Sequence, residues 1–372
     1  MPDYNEIIAA EIKLNDLLPV HRLEHSAPAP LIAAAFAWSD AVWKAATKLG
    51  PMPVNGDQLL LGKALAASPV FICGVHRSGT TLVRDMLDNH PELVVLPSEG
   101  TWYTSLGPKL QLLTDNLGMA FLGREWLRRI VNPINQPPYW LLGRTVAVHS
   151  PYVDFARYLM SWYTLINRDN DQWQHKAVAL AWASCTSGLG AKFWVDKTPA
   201  NERYLAQIWR ANHAAKIIHV IRNPLATLNS RKKMEPGISM RHALRDVQTS
   251  FKVASRQITR PDPRLLLIRY EELCENPQSV AASIAAFLRI DFQDTLYEPT
   301  AAGILTQANS SFISRSIAGK INNKTQQTML LTNAEKDLLS KSIGDLSARL
   351  NYPLKHVDLL RGLYLRIRYR LF

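Results

Sequence analysis

The sequence predicts an α/β fold, a doubly wound sheet of mainly parallel strands with helices on both faces and one helical insertion. Two features of the chain predict it. Short continuous apolar runs rich in β-branched residues recur, namely SPVFICGV (68–75), PELVVL (91–96), AKIIHVI (215–221) and RLLLIRY (264–270), and runs of this kind suit strands buried on both faces. The first and third pass at once into polar turn residues and a helical pattern, and the fourth is followed by NPQSVAASIAAFLRI, apolar at helical spacing behind a proline. Strand followed by helix, repeated, is the order of a wound parallel sheet.

Taken in chain order, residues 1–66 read as a helical lead-in and residues 67–300 as the α/β core. Within the core, residues 101–190 break the strand and helix rhythm; dense in tryptophan and tyrosine, with Pro133, Pro137 and Pro138, they read as a mostly helical insertion forming a lid or acceptor site. Residues 301–372 are expected to supply a closing segment and C-terminal helices. There are no internal repeats or low-complexity tracts.

Composition narrows the function. The 372 residues are 47% hydrophobic and 20% charged, with a formal net charge of +12, which suits a folded protein with a polyanionic ligand or an anionic surface as partner. The three cysteines, Cys73, Cys185 and Cys274, are too scattered for a disulfide framework and point to a reducing, cytoplasmic setting. The N-terminus mixes acidic residues among its apolar positions and does not read as a signal peptide. No apolar run approaches the roughly 20 residues that span a bilayer. The last fourteen residues, LLRGLYLRIRYRLF, carry four arginines among leucines and aromatics with no acid, a pattern that can dock on anionic lipid at a membrane surface.

The stretch FICGVHRSGTTLVRDML (71–87) carries the chemistry. A strand breaks into a glycine-containing turn and then a helix, with nearly the spacing of a nucleotide-binding phosphate loop, but Thr80 stands where an NTPase carries its lysine. Such a turn aims backbone N–H groups and the positive end of a helix dipole at one spot. Arg77 adds a permanently charged fork, Gly79 the entry to the helix, and Ser78, Thr80 and Thr81 hydroxyl donors. A second anion site follows AKIIHVI in IRNPLATLNSRKK, where Arg222 ends the strand, Pro224 suits the first helical turn, and Ser230 lies eight residues beyond the arginine. Two anion cradles on neighbouring strands suit a nucleotide with phosphates at both ends of its ribose. No HExxH, EF-hand loop or histidine pair at ligand spacing is present in the sequence, so no metal is expected.

Here the sequence resembles the sulfotransferases that use 3′-phosphoadenosine-5′-phosphosulfate (PAPS). GVHRSGTTLVRDMLDNHPELVVLPSE is similar to the family's 5′-phosphosulfate loop with its following helix and strand, and AKIIHVIRNPLATLNS to its 3′-phosphate strand and helix. WVDKTPANERYL and LLLIRYEELCENPQSVAASIAAFL resemble further blocks in the same order, so the likeness covers most of residues 68–290. The nearest branch is that of the tyrosylprotein sulfotransferases and their bacterial relatives, though His76 stands where those often carry proline.

The resemblance implies PAPS as donor and 3′,5′-ADP (PAP) as product, with the 5′ anion at residues 77–81 and the 3′-phosphate on Arg222 and Ser230. It implies Glu99 as the carboxylate that takes the acceptor's proton, with Arg77 and Lys197 steadying charge, Lys197 at the end of another strand. His76 and His90 are alternative bases, His90 sitting in a helix-ending turn that suits a structural role. Tyr270 matches a position near the adenine, and Asn309, Ser310 and Lys320 a late polar segment over the 3′-phosphate. Trp102, Tyr103, Trp140, Trp162 and Trp173 are expected either to pack the insertion or to line an acceptor groove. The acceptor is a hydroxyl on a glycan, glycolipid, lipid or peptide tyrosine. Two other classes stand beside this one: a kinase using ATP and Mg²⁺, against which Thr80 already speaks, and a non-catalytic nucleic-acid-binding protein, for which no module is evident.

Overall fold

The structure, a computed structural model, describes residues 4–19, 27–131, 138–168, 170–306, 318–321, 329–358 and a few positions beyond. Five parallel strands form the sheet: β1 (Pro69–Cys73), β2 (Leu93–Val95), β3 (Phe193–Lys197), β4 (Lys216–Ile221) and β5 (Leu265–Arg269), in the order β2-β3-β1-β4-β5. The middle strand β1 pairs Phe71 with Asp196 on one side and with Ile217 on the other. These are the four runs read from the sequence plus the strand ending at Lys197.

The helices follow in chain order. The lead-in forms α1 (Asn5–Asn15), α2 (Ala29–Leu49) and α3 (Gly56–Ala66), and α4 (Thr80–Leu87) follows β1. A π turn at Trp102–Leu106 opens the insertion, which continues through α5 (Gly107–Leu110), α6 (Asp115–Val131), α7 (Pro151–Leu165) and α8 (Trp173–Cys185). After β3 come α9 (Leu205–Ala211), then α10 (Pro224–Met234) and α11 (Met240–Thr259) behind β4, and α12 (Tyr270–Glu275) and α13 (Pro277–Leu288) behind β5. A two-stranded hairpin, β6 (Thr300–Ala301) and β7 (Ile304–Leu305), and α14 (Asn333–Arg349) complete the described chain.

Strand alternation divides the core. Successive side chains on a strand point to opposite faces, so Phe71 and Cys73 join Trp194 and Ile217 on the face covered by the lead-in and insertion helices. Val70 and Ile72 join Val195, Ile218 and Ile268 on the face covered by α4 and α13. With helices on both faces, a continuous apolar run is what each strand requires. Beyond the sheet, Ile221 and Leu228 pack with α11 and α14.

The lead-in and the insertion, distinct in sequence, form one layer. The buried Trp38 of α2 meets Trp140 edge-on at 5.5 Å between ring centroids and Tyr152 at 5.0 Å. Among the described residues no helix is long and apolar enough to cross a membrane. Asn309, Ser310 and most of the arginine-rich tail lie outside the described residues.

Trp38→Ala should lower the stability of the protein by about 3–5 kcal/mol, the usual cost of emptying a buried aromatic site. The check is urea denaturation, with a lower midpoint at an unchanged slope; an unaltered midpoint would mean that the joint between the two helical groups does not hold the fold.

Candidate active site

The site grows from the loop that leaves β1. Gly74 has φ 147°, and a Cβ there would lie 2.2 Å from the Val220 carbonyl oxygen of β4, so only glycine lets the chain turn out beside its neighbour. Its N–H donates to Glu202 Oε2 at 3.0 Å, and burial pushes that carboxyl up to about 7. Arg77 holds φ 78°, a conformation that side-chain-bearing residues rarely adopt and that concentrates at functional loops. Gly79, with φ 104°, begins α4 directly against the Tyr270 ring, which a Cβ would approach to 2.3 Å. No side chain caps α4 among the described residues, so its first N–H groups face outward uncapped. Thr80 and Thr81 of that first turn line a cavity of about 700 Å³.

The loop after β4 meets the first one. Arg222 donates from Nη1 to the Arg77 carbonyl oxygen at 3.2 Å, and its guanidinium stacks 4.3 Å above the Tyr270 ring. Arg77 Nε donates to Ser230 Oγ at 3.2 Å. Arg77, Arg222, Ser230 and Tyr270 therefore form one cluster, in which the two loops read from the sequence meet. The start of α10 differs from that of α4, because Asn223 accepts from the Leu225 and Ala226 N–H groups at 3.0 and 3.2 Å. At this second loop the groups left open are side chains.

Across the cavity stands an ion pair. Lys197, the last residue of β3, is buried and places Nζ 2.6 Å from Glu99 Oε1; the Glu99 side chain keeps 37% of its surface open. Burial lowers the Lys197 ammonium, with the Glu99 charge opposing. For Glu99, burial pushes upward, but the charge and hydrogen bond of Lys197, with His76 and Arg84 behind them, hold the carboxyl below its ordinary 4.5. Arg84 is itself tied to Asp85 and to the Pro97 carbonyl oxygen.

The backbone beneath Glu99 is held from two sides. Buried Asp196 accepts from the Gly100 N–H at 2.7 Å and from Thr198 Oγ1 at 3.0 Å, and that hydroxyl accepts in turn from the Thr101 N–H at 2.9 Å. Burial pushes the Asp196 carboxyl up to about 6. From α6, Arg129 donates to the Glu99 and Gly100 carbonyl oxygens and to Thr101 Oγ1, with Glu125 accepting from its Nε at 3.0 Å.

The remaining expected residues fall as follows. His76 lines the cavity, and burial, only partly offset by Glu99, lowers its ring. His90 is structural: its Nδ1 accepts from the Glu92 N–H at 3.2 Å, so Nε2 donates to the Asp291 carbonyl oxygen at 2.8 Å. Lys320 is exposed, beside Gly319, whose N–H donates to the Thr306 carbonyl oxygen at 2.9 Å. Trp102, Trp140 and Trp162 are buried packing residues, and neither they nor Tyr103 and Trp173 line the cavity. Its apolar lining includes Leu31, Ile32, Ala35 and Phe36 of α2, part of the run LIAAAFAW, together with Pro138 and Leu141 of the insertion. Asp196, Arg129 and Glu202 were not singled out from the sequence; the one signal for Asp196 is a carboxylate between Val195 and Lys197 in an otherwise buried strand.

A parallel sheet thus carries, at the exit of its central strand, an uncapped helix entrance whose first residues share one cavity with a carboxylate and ammonium pair. The sequence profile of the sulfotransferase family matches residues 69–294. The chain belongs to that family, and its reaction class is sulfuryl transfer. Solved structures similar to it include the sulfotransferase domain from the curacin biosynthetic pathway (18% identity, 77% of this chain and 98% of that one, TM-score 0.46). Others are the sulfotransferase domain of the Synechococcus PCC 7002 olefin synthase (19%, 81% and 94%, 0.40) and the sulfotransferase STF9 from Mycobacterium avium (15%, 77% and 78%, 0.39). No curated protein matches the chain.

Replacing Lys197 by Met should let burial govern Glu99 and raise its carboxyl above 4.5. In the native protein a depressed Glu99 value contributes stability above its unfolded value that is lost as pH falls through the folded one. In the variant the sign reverses, and stability should fall as pH rises through the raised value. Carbon-13 NMR titration of the glutamate carboxyls, paired with denaturation at several pH values, reads both; a Glu99 that still titrates below 4.5 would remove Lys197 as its controlling partner.

Proposed function

We propose that the protein transfers a sulfuryl group from PAPS to a hydroxyl acceptor, releasing PAP, with Glu99 as the base and Lys197 and Arg77 as the stabilising cations. The observation that carries this reading is the placement of the Glu99–Lys197 pair in the same cavity as Arg77, Thr80 and Thr81. The loop fits an anionic ligand on its own features: no side chain caps the first turn of α4 among the described residues, Arg77, Thr80 and Thr81 line the cavity, and Gly79 leaves the helix entrance open where a side chain would strike Tyr270. Residues 77–81 would hold the 5′ side, and Arg222 and Ser230 the 3′-phosphate with Tyr270 beside them; Asn309, Ser310 and Lys320 would complete the enclosure. When bound, the donor supplies a sulfuryl group on a good leaving group.

The chain's own residues supply the rest. Glu99 is ionised at neutral pH, as a base must be, and its opening to solvent lets a hydroxyl reach it. When Glu99 accepts the hydroxyl proton, its hold on Lys197 weakens. That leaves a buried ammonium without its counter-charge, ready to meet the negative charge that develops during transfer. Arg129 and Asp196 keep the backbone under Glu99 in place while its side chain changes charge.

The deciding experiment is a thermal-shift comparison of 3′,5′-ADP, 5′-AMP and ATP with Mg²⁺. Strong stabilisation by 3′,5′-ADP, about 2.7 kcal/mol at a hundredfold excess over Kd, and little by the others is expected; equal shifts from all three would end the reading. Glu99→Gln should keep that shift and lose turnover with PAPS, and near-normal turnover would move the base elsewhere.

Ser230→Ala should raise the KM for PAPS roughly 10- to 100-fold, the worth of a hydrogen bond to a charged group, with a smaller fall in kcat because the contact is remote from the reacting atoms. Steady-state kinetics distinguishes this from the opposite pattern, a fall in kcat alone, which would place Ser230 at the chemistry.

A further inference from the structure

The cavity has two unlike walls. One is the polar wall of the loop and the Glu99–Lys197 pair. The other is presented by α2, where Leu31, Ile32, Ala35 and Phe36 recur at the spacing of one helical face and none carries a polar side-chain atom. Leu31 and Ala35 are anchored in the core, but Ile32 and Phe36 stay 41% and 49% exposed. Large apolar groups kept open inside a cavity, beside a polar pair, suit a surface that a bound ligand covers.

The polar side chains next to this wall are already engaged. Arg128 lies 3.9 Å over the Phe36 ring while donating to Ser39 Oγ at 3.0 Å and to Glu125 Oε2 at 2.7 Å. Arg129 is committed to Glu125 and to the backbone at residues 99–101. A sugar pressed against α2 would exchange water for a face with no donors or acceptors, and each unpaired hydroxyl would cost affinity. A hydrocarbon or aromatic body meets no such penalty, and it would gain contact with Phe36 and Ile32 by leaving water. At about 700 Å³ the cavity falls among sites for small molecules, which span about 300–1,000 Å³.

We propose that the acceptor is a small hydrophobic alcohol or phenol, its apolar body against Leu31, Ile32, Ala35 and Phe36 and its hydroxyl directed to Glu99. This rests on the assignment of the cavity to sulfuryl transfer and narrows the acceptor class within it. The helix that selects the acceptor lies outside the span matched by the family profile.

The test is calorimetric titration of the full chain, saturated with 3′,5′-ADP, using 2-naphthol, 1-octanol, N-acetylglucosamine and a tyrosine-containing peptide as probes. The first two should bind, and Phe36→Asp should weaken them about tenfold or more while leaving 3′,5′-ADP affinity unchanged; Ile32→Asn, also at an exposed position, provides a second variant with the same expectation. Tighter or equal binding of the sugar or the peptide would overturn the proposal. So would an unchanged affinity for 2-naphthol in both variants, or no binding of either hydrophobic probe up to its solubility limit. Failure of 3′,5′-ADP to bind the native protein would instead overturn the donor assignment, which separates the two readings.

Discussion

The site depends on one constraint, that a buried ammonium must have its counter-charge within reach. Lys197 ends a central strand with only 4% of its side chain exposed, where an unpaired cation would be costly. Glu99 answers it from a loop, and a loop is a poor place to fix a charge unless its backbone is tied down. Asp196, one residue before Lys197 and directed to the opposite face of the strand, ties it from the sheet, and Arg129 ties it from α6. Adjacent residues of one strand thus hold the same loop, one through its side chain and the other through its main chain. Arg129 and the adjacent pair Asp196 and Lys197, about seventy residues apart in sequence, form a single support for Glu99.

The two loops that leave β1 and β4 show a similar economy of parts. Parallel pairing of β1 with β4 brings their exits together, and the close approach at Gly74 leaves little room between them. Their contents differ because their helices start differently. The entrance of α4 is uncapped and offers backbone N–H groups, whereas Asn223 caps α10, so that the second loop presents the side chains of Arg222 and Ser230 instead. Glu271 reinforces that arrangement by accepting from the Asn223 N–H at 2.9 Å, which links the end of β5 to the exit of β4.

Much of this was legible in the sequence, for reasons that can be named. The strands show because burial on both faces demands unbroken apolar runs, and the β1 loop shows because glycine, arginine and hydroxyls stand at fixed offsets. The residues that hold Glu99 in place were not legible. Arg129 sits in an arginine pair on an ordinary helix, and only the packing of α6 against the loop distinguishes it from its neighbour Arg128. The aromatics of the insertion could be read as packing or as groove residues, and only the fold decides: Trp140 and Tyr152 interlock with Trp38 of the lead-in, as large aromatics do when two helical groups must share one core. The four residues of α2 that line the cavity looked like any helix-packing stripe, since the difference lies in what stands opposite.

That sharing of a core has a mechanical consequence. Within α6, Arg128 bonds Ser39 and lies over Phe36 of α2, while its neighbour Arg129 grips residues 99–101. A single helix therefore links the α2 surface to the loop that bears the ion pair, so a shift of one is transmitted to the other.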